Sequence, residues 1–182
     1  MRRPLVGIII ASKIKNVENI LGFNLEDMLK QVAQILADLG YNILIIPEKN
    51  SGSILFANFF REFSKGRLKV FGLIPNKDKE FGIKHLDTKF CDENIYCNSW
   101  RSIAAAFVAN SSFLICLSYT AGCLVELCQS KYWKKRVLVV REFVSKTLPK
   151  EAEQQLYLKY ISLRELKPIL ELVKRYGIKK LK

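Results

Sequence analysis

The chain has 182 residues, of which 49% are hydrophobic and 11% aromatic, and its formal net charge is +13. This composition excludes a disordered chain, and the longest apolar run is too short to span a bilayer. We therefore expect one domain over residues 1–182 with a sizeable hydrophobic core.

The first half of the sequence alternates strand-like and helix-like segments. Residues 5–11 form a β-branched run that is typical of a central parallel strand, and residues 13–19 follow as a polar loop. Asn24 is the expected N-cap of a helix that ends at Gly40. The pattern then predicts a strand, a polar turn and an amphipathic helical segment, over residues 41–46, 47–53 and 54–63.

The second half continues this alternation after a long predicted loop. Residues 70–74 form the next strand, and Pro75 opens a loop of about twenty-five residues, a length that suggests an active-site or interface role. Ser162 and Glu165 predict a capping box for the last helix, whereas Pro168 indicates that its regular part begins a little later. The remaining predicted elements are helices over 100–110, from Cys123 onward, over 145–155 and over 163–176, and strands over 113–117, 136–140 and 158–161.

This order of elements predicts an α/β fold. We expect a single-domain, Rossmann-like three-layer sandwich with a mostly parallel sheet and helices on both faces. Its core spans about residues 5–140, and residues 141–182 form a C-terminal extension of helix and strand. The absence of G-x-G-x-x-G after the first strand and of a P-loop argues against a standard dinucleotide binder and a P-loop nucleotide hydrolase.

The stretch FLICLSYTAGCLVE, over residues 113–126, carries the strongest functional signal. A buried strand ends here in a turn of small residues, and ligands of parallel sheets bind at such carboxyl ends. The helix that follows presents free N–H groups at its start, where an anion is favoured. Glu126 lies one turn inside that helix and is expected to face the same pocket. The residues of the turn are Ser118, Tyr119, Thr120, Ala121, Gly122 and Cys123.

The cysteines and the net charge limit the kinds of site and partner that the sequence predicts. Five cysteines, of which three lie in predicted elements with apolar neighbours, indicate free buried thiols and a cytoplasmic location. The lone His85 has no partner at ligand spacing and there is no C-x-x-C pair, so we expect neither a metal nor a cofactor. Basic residues are densest over 131–150 and 164–182, which favours polyanions or simply forms a solvated basic surface.

The order of these features resembles the SLOG superfamily, in particular the LOG-like (lysine decarboxylase-like) proteins and the related molybdenum-cofactor carriers. Their hallmark is a strand that ends in P-G-G-x-G-T-x-x-E, which aligns with residues 118–126 and matches at Gly122 and Glu126. The loop over 50–53 matches the glycine-rich loop that these proteins have after their second strand. Arg101 matches the arginine that begins the helix before the motif strand.

The resemblance implies a site for a nucleoside 5′-monophosphate and hydrolysis of its N-glycosidic bond. Glu126 would be the catalytic carboxylate and Arg101 its partner, because a fixed carboxylate stabilises the positive charge that builds up on the ribose. The phosphate would contact the turn residues Ser118 to Cys123, together with Gly52, Ser53 and Ser12. Tyr119 and Thr120 replace two glycines of the motif and are expected to reshape this loop.

Three functional classes therefore stay open: a LOG-like phosphoribohydrolase, a non-catalytic sensor or carrier of a nucleotide-like ligand, and a basic DprA-like protein that binds nucleic acid. Glu126 also fits a purely structural role, as a carboxylate that complements the helix dipole.

The resemblance further implies a homodimer. Its candidate contacts are the alanines of residues 104–106 and the aromatic pair Tyr132 and Trp133, and we expect no contact with a membrane.

Overall fold

The computed structural model describes residues 3–77 and 85–178 and contains a seven-stranded sheet within them. Each pair of neighbouring strands is parallel. The order across the sheet is β4-β3-β2-β1-β5-β6-β7. The strands are β1 (Leu5–Ile9), β2 (Asn42–Ile45), β3 (Val70–Lys77), β4 (Glu93–Ser99), β5 (Phe113–Cys116), β6 (Val137–Val140) and β7 (Leu158–Ile161).

Helices cover both faces of the sheet, as the α/β prediction requires. Helices α1, α2, α3 and α7 pack on one face, and α4 and α5 pack on the other. This arrangement confirms the predicted Rossmann-like three-layer fold. The helices are α1 (Ile14–Leu21), α2 (Glu26–Asp38), α3 (Gly52–Ser64), α4 (Ile103–Asn110), α5 (Ala121–Tyr132), α6 (Lys150–Glu153) and α7 (Leu163–Tyr176).

The apolar runs of the central strands explain this layering. In β5, Phe113 and Ile115 join the core cluster under α2, α3 and α7, whereas Leu114 and Cys116 join the cluster under α4 and α5. Successive side chains of a strand point to opposite faces, so an uninterrupted apolar run is buried on both sides. The predicted C-terminal extension adds β7 and α7 to the same sheet and core, and the Tyr41 hydroxyl donates to Leu170 O at 2.9 Å.

The strand order reverses beside β1, and this reversal positions the site. β1 pairs with β2 on one side and with β5 on the other. The chain therefore leaves these neighbouring strands toward opposite faces of the sheet and opens a crevice at their carboxyl ends, where open α/β sheets bind ligands.

Two segments that were predicted as loops are regular elements. Residues 13–19, predicted as a polar loop, lie largely in α1, because Ile14 and Val17 are buried on one side of the helix and anchor it to the core. The loop predicted after Pro75 contains β4, an edge strand whose alternating exposed polar residues obscure its apolar pattern. The part of that predicted loop over 78–84 lies outside the described residues.

Two helix predictions also need correction. The helix predicted over 145–155 is limited to α6, which begins after Pro149. Helix α7 begins at Leu163 and continues through Pro168, so the predicted later start is wrong. Burial of Leu166 and Leu170 on the core holds α7 together despite the backbone hydrogen bond that the proline cannot make. The predicted capping box of Ser162 and Glu165 is present.

Candidate functional site

A small cavity of about 70 Å³ lies at the carboxyl ends of β1, β2 and β5. We call it the anion cavity because the start of α5 forms one of its walls. Several residues predicted for the site line it together, although they come from three separate parts of the chain. These residues are Ser12, Ser53, Thr120, Gly122, Cys123 and Glu126.

The start of α5 presents unpaired N–H groups toward this cavity. Leu124 N donates to Thr120 O at 2.9 Å, so the N–H groups of Ala121, Gly122 and Cys123 precede the first intrahelical bond. Thr120 does not cap the helix, because its hydroxyl donates to Cys123 Sγ at 3.1 Å instead. These N–H groups and the helix dipole together favour a negatively charged group.

The two glycines predicted for the site have different structural roles. A Cβ added to Gly122 would meet no atom within 4 Å, so neither the packing nor the backbone requires glycine there. A Cβ added to Gly52 would lie 2.4 Å from Ala11 O. Gly52 therefore permits close contact between the start of α3 and the loop after β1, where its N–H donates to Ser12 O at 3.0 Å.

The side chains that replace the motif glycines do not obstruct the cavity. The Tyr119 hydroxyl donates to the Tyr160 hydroxyl of β7 at 3.0 Å, and the ring packs with the cluster under α4 and α5. Ser118 is buried, with its hydroxyl 3.2 Å from Cys123 Sγ. Tyr119 is turned toward Tyr160, whereas Thr120 lines the cavity with its hydroxyl engaged by Cys123 Sγ. Ala121 and Gly122 are exposed, so the N–H groups at the start of α5 stay accessible.

Glu126 is a half-buried carboxyl group in the wall of the anion cavity. Its side chain has no hydrogen-bond partner among the described residues, and its pKa is raised to about 8. Burial is the main cause, and the negative charge of Glu48 adds to it. Glu126 is therefore mostly protonated at neutral pH and can donate a hydrogen bond.

Glu48 is a site residue that the sequence analysis missed. It follows the end of β2 and lines the same cavity, where its carboxylate accepts a hydrogen bond from the Ser12 hydroxyl. Its backbone is fixed on two sides, because Ser51 Oγ donates to Glu48 O at 2.6 Å and Glu48 forms an isolated bridge with Leu86. The sequence signal that could have found Glu48 was its place just after β2, the strand that pairs with β1.

Arg101 lies at the same edge of the sheet but does not line the anion cavity. It is exposed in a 3₁₀ turn, Trp100–Ser102, that leads into α4. The role of Arg101 as partner of Glu126 stays a prediction.

The described part of the chain contains no group of three or more metal-ligating side chains. All five cysteines are free thiols. No helix within residues 3–77 and 85–178 combines the length and apolar character needed to cross a bilayer.

Comparison with known proteins finds similarity at the level of structure alone. The sequence matches no protein family model and no curated protein. The molybdenum cofactor binding protein of Rippkaea orientalis is similar with a TM-score of 0.68 and 15% identity, over 95% of this chain and 98% of that one.

Two further solved structures agree with this result. The Moco carrier protein of Chlamydomonas reinhardtii has a TM-score of 0.68 and 15% identity, over 96% of this chain and 99% of that one. A structural genomics target has a TM-score of 0.66 and 17% identity, over 92% and 98%. At such identities the similarity confirms the Rossmann-like fold, and membership of the SLOG superfamily stays a prediction.

Proposed function

We propose that this protein is a non-catalytic carrier or sensor of a phosphorylated, nucleotide-like small molecule. The observation that carries the proposal is the accessible start of α5 beside Gly122, where unpaired N–H groups face the anion cavity. A phosphate monoester fits such a helix start, since both the N–H groups and the helix dipole stabilise its charge.

The protonated state of Glu126 supports this assignment. Glu48 already places one negative charge in this cavity, and an ionised Glu126 would add a second one that repels a phosphate. A protonated Glu126 can instead donate a hydrogen bond to a phosphate oxygen. The pKa of about 8 keeps Glu126 mostly neutral at pH 7. The phosphate and Glu126 are therefore compatible in the same cavity.

The same features favour binding over hydrolysis. Cleavage of an N-glycosidic bond needs an ionised carboxylate near the ribose, and in the LOG-like enzymes that this chain resembles an arginine assists. Here Glu126 is mostly neutral, and Arg101 lies outside the anion cavity. Two of the similar structures are a Moco carrier protein and a molybdenum cofactor binding protein, so that cofactor is one candidate ligand.

Phosphoribohydrolase activity is the second candidate, and it is favoured by the spacing of Gly122 and Glu126 that matches the LOG motif. Both candidates predict that the protein binds a nucleotide, but only the phosphoribohydrolase would release the base.

The test combines equilibrium binding with an assay of base release. We expect the wild-type protein to bind at least one nucleoside 5′-monophosphate or the molybdenum cofactor and to release no base. Glu126→Gln should bind at pH 7 within about threefold of wild type, because glutamine keeps the shape and the neutral charge. Glu171→Gln, an exposed substitution on α7, is the matched control.

Two outcomes would contradict the proposal. Base release by the wild type that is lost in Glu126→Gln would establish the hydrolase instead. A wild-type protein that binds none of these ligands would refute the carrier.

The protein is also proposed to form a homodimer through α4 and α5. Four large side chains of α5 and its C-cap are exposed: Leu124 by 37%, Val125 by 53%, Tyr132 by 74% and Trp133 by 48%. The neighbouring alanines of α4 are half-buried and leave a smooth surface beside them. Several exposed large apolar side chains on one short helix fit contact with a second copy of the chain.

Sedimentation velocity tests this dimer. We expect the wild type to sediment as a dimer and Val125→Lys to sediment as a monomer, because a desolvated lysine at the interface costs several kcal/mol. Leu172→Lys, which changes an equally exposed residue on α7, should remain a dimer. A monomeric wild type, or a Val125→Lys dimer, would exclude this interface.

A further inference from the structure

A cleft of about 550 Å³ lies between α1 and α3, next to the anion cavity. Ser12 belongs to the walls of both, and Gly52 and Ser53 follow one another at the start of α3, one in each wall. We propose that this cleft is a second compartment of the same site and holds the planar heterocyclic ring of the ligand. The proposal rests on the function proposed above, since the phosphate of that ligand occupies the anion cavity.

The volumes of the anion cavity and the cleft indicate which part of the ligand each can hold. One water occupies about 30 Å³ in the liquid, so the anion cavity of about 70 Å³ has room for a group of two or three waters in size. That space suits part of a phosphate group and excludes a bicyclic ring. The neighbouring cleft lies within the range of about 300 to 1,000 Å³ that is typical of ligand sites.

The walls of the cleft suit the flat face of a ring. Ile14 is buried, and Ile54 and Leu55 are half-buried, so all three present apolar surface to the cleft. Burying apolar ring surface against them is favourable by about 25 cal/mol per Å². α1 supplies one wall and α3 the other, so both faces of a ring would be covered.

The polar groups at the rim suit the edge of a ring. Asn16, Asn50 and Asn58 are exposed there, and their side-chain amides have no hydrogen-bond partner among the described residues. Each amide offers both a donor and an acceptor, and the edges of nucleobases and pterins carry donors and acceptors side by side.

Three of the four charged side chains that line the cleft are in ion pairs, and one of these pairs holds α1. Lys15 Nζ lies 2.8 Å from Glu18 Oε2, and Glu18 Oε1 accepts from Leu25 N at 2.9 Å. These contacts fix α1 against the start of α2 and leave the neutral amides available. The neutral amides are therefore available to the edge of an uncharged heterocycle.

The test compares ligands with and without a ring. AMP, neopterin monophosphate and ribose 5-phosphate are titrated into the full-length protein. We expect AMP or the pterin to bind at least about tenfold more tightly than ribose 5-phosphate, a difference of about 1.4 kcal/mol. The tighter of the two ring-bearing probes identifies the class of heterocycle.

A pair of substitutions on α3 locates the ring. Asn58→Trp places an indole in the cleft from an exposed position and should weaken binding of the ring-bearing probe by about tenfold without changing ribose 5-phosphate. Glu62→Trp, one turn further along α3, is exposed and does not line the cleft, so it should change neither. Thermal unfolding of both variants checks that they fold.

Each failure has a distinct meaning. If AMP, the pterin and ribose 5-phosphate bind equally, or if Asn58→Trp leaves ring binding unchanged, the ring does not occupy the cleft, while the anion site stands. Tighter binding of the ring-bearing probe alone would place its ring against the new indole and support the cleft. If none of the three probes binds, the cleft assignment is refuted, and the wider panel of nucleoside 5′-monophosphates and the molybdenum cofactor decides the proposed function.

Discussion

Replacing Glu126 with glutamine is expected to abolish most of the loss of stability that the wild-type protein shows as the pH rises from about 5 to 8. The pKa of Glu126 is about 8 in the folded protein, compared with its ordinary value of 4.5. Over this interval the folded state keeps a proton that the unfolded state has released. Stability therefore falls as the pH rises, and it levels off above the folded pKa.

The size of the effect follows from the shift in pKa. Each unit corresponds to about 1.4 kcal/mol, so the full shift sets an upper bound of roughly 5 kcal/mol. Because Glu126 is half-buried and retains some contact with water, we expect about 3 kcal/mol. Glu18 and Glu165 have lowered pKa values, so their contributions are lost only as the pH falls below 4.5, outside this interval.

Urea unfolding at pH 5, 6, 7 and 8 measures this dependence. The free energy of unfolding of the wild type should fall steadily across the series, while that of Glu126→Gln stays nearly flat and exceeds the wild type at pH 8. Glu171→Gln on α7 should follow the wild type. Glu48→Gln should fall less steeply than the wild type, because it removes the second cause of the raised pKa.

Parallel profiles for the wild type and Glu126→Gln would show that the folded protein does not hold this proton. Glu126 would then be ionised at neutral pH and would repel a phosphate, and an ionised catalytic carboxylate would become the better interpretation.

The sequence predicted the layout of the fold because its central strands depend on local patterns. The apolar run at β5 and the capping box of Ser162 and Glu165 are local signals, and both proved reliable. β4 was missed because an edge strand is exposed along much of its length and does not need an apolar run. α1 was missed because only two apolar residues of its short sequence are buried, and polar residues separate them.

The candidate site was predictable only in part, for a related reason. Gly122 and Glu126 belong to one continuous stretch, so their spacing was visible in the sequence. Glu48 joins them only because β2 lies beside β1 in the sheet. The direction of Tyr119 depends on Tyr160, which is 41 residues away and on another strand.

Alanine substitutions at the two site glycines are expected to give opposite results. Gly52→Ala should destabilise the protein by about 2 to 3 kcal/mol, because its Cβ would lie 2.4 Å from Ala11 O and 2.7 Å from Ile14 Cγ1. A backbone oxygen cannot move aside without shifting the loop after β1. Gly122→Ala should leave stability unchanged or raise it by up to about 1 kcal/mol, because its Cβ meets no atom within 4 Å and alanine favours the helix.

Ligand binding gives a second measurement that distinguishes the roles of Gly52 and Gly122. The Cβ of Gly122→Ala would occupy open space beside the N–H groups at the start of α5, so we expect AMP affinity to fall by about tenfold although the fold is intact. Urea unfolding and AMP titration at pH 7 measure both quantities on the same samples. A fully stable Gly52→Ala would show that the loop after β1 yields easily. Unchanged AMP binding by Gly122→Ala would place the phosphate away from the start of α5, and the carrier would need a different anchor for its ligand.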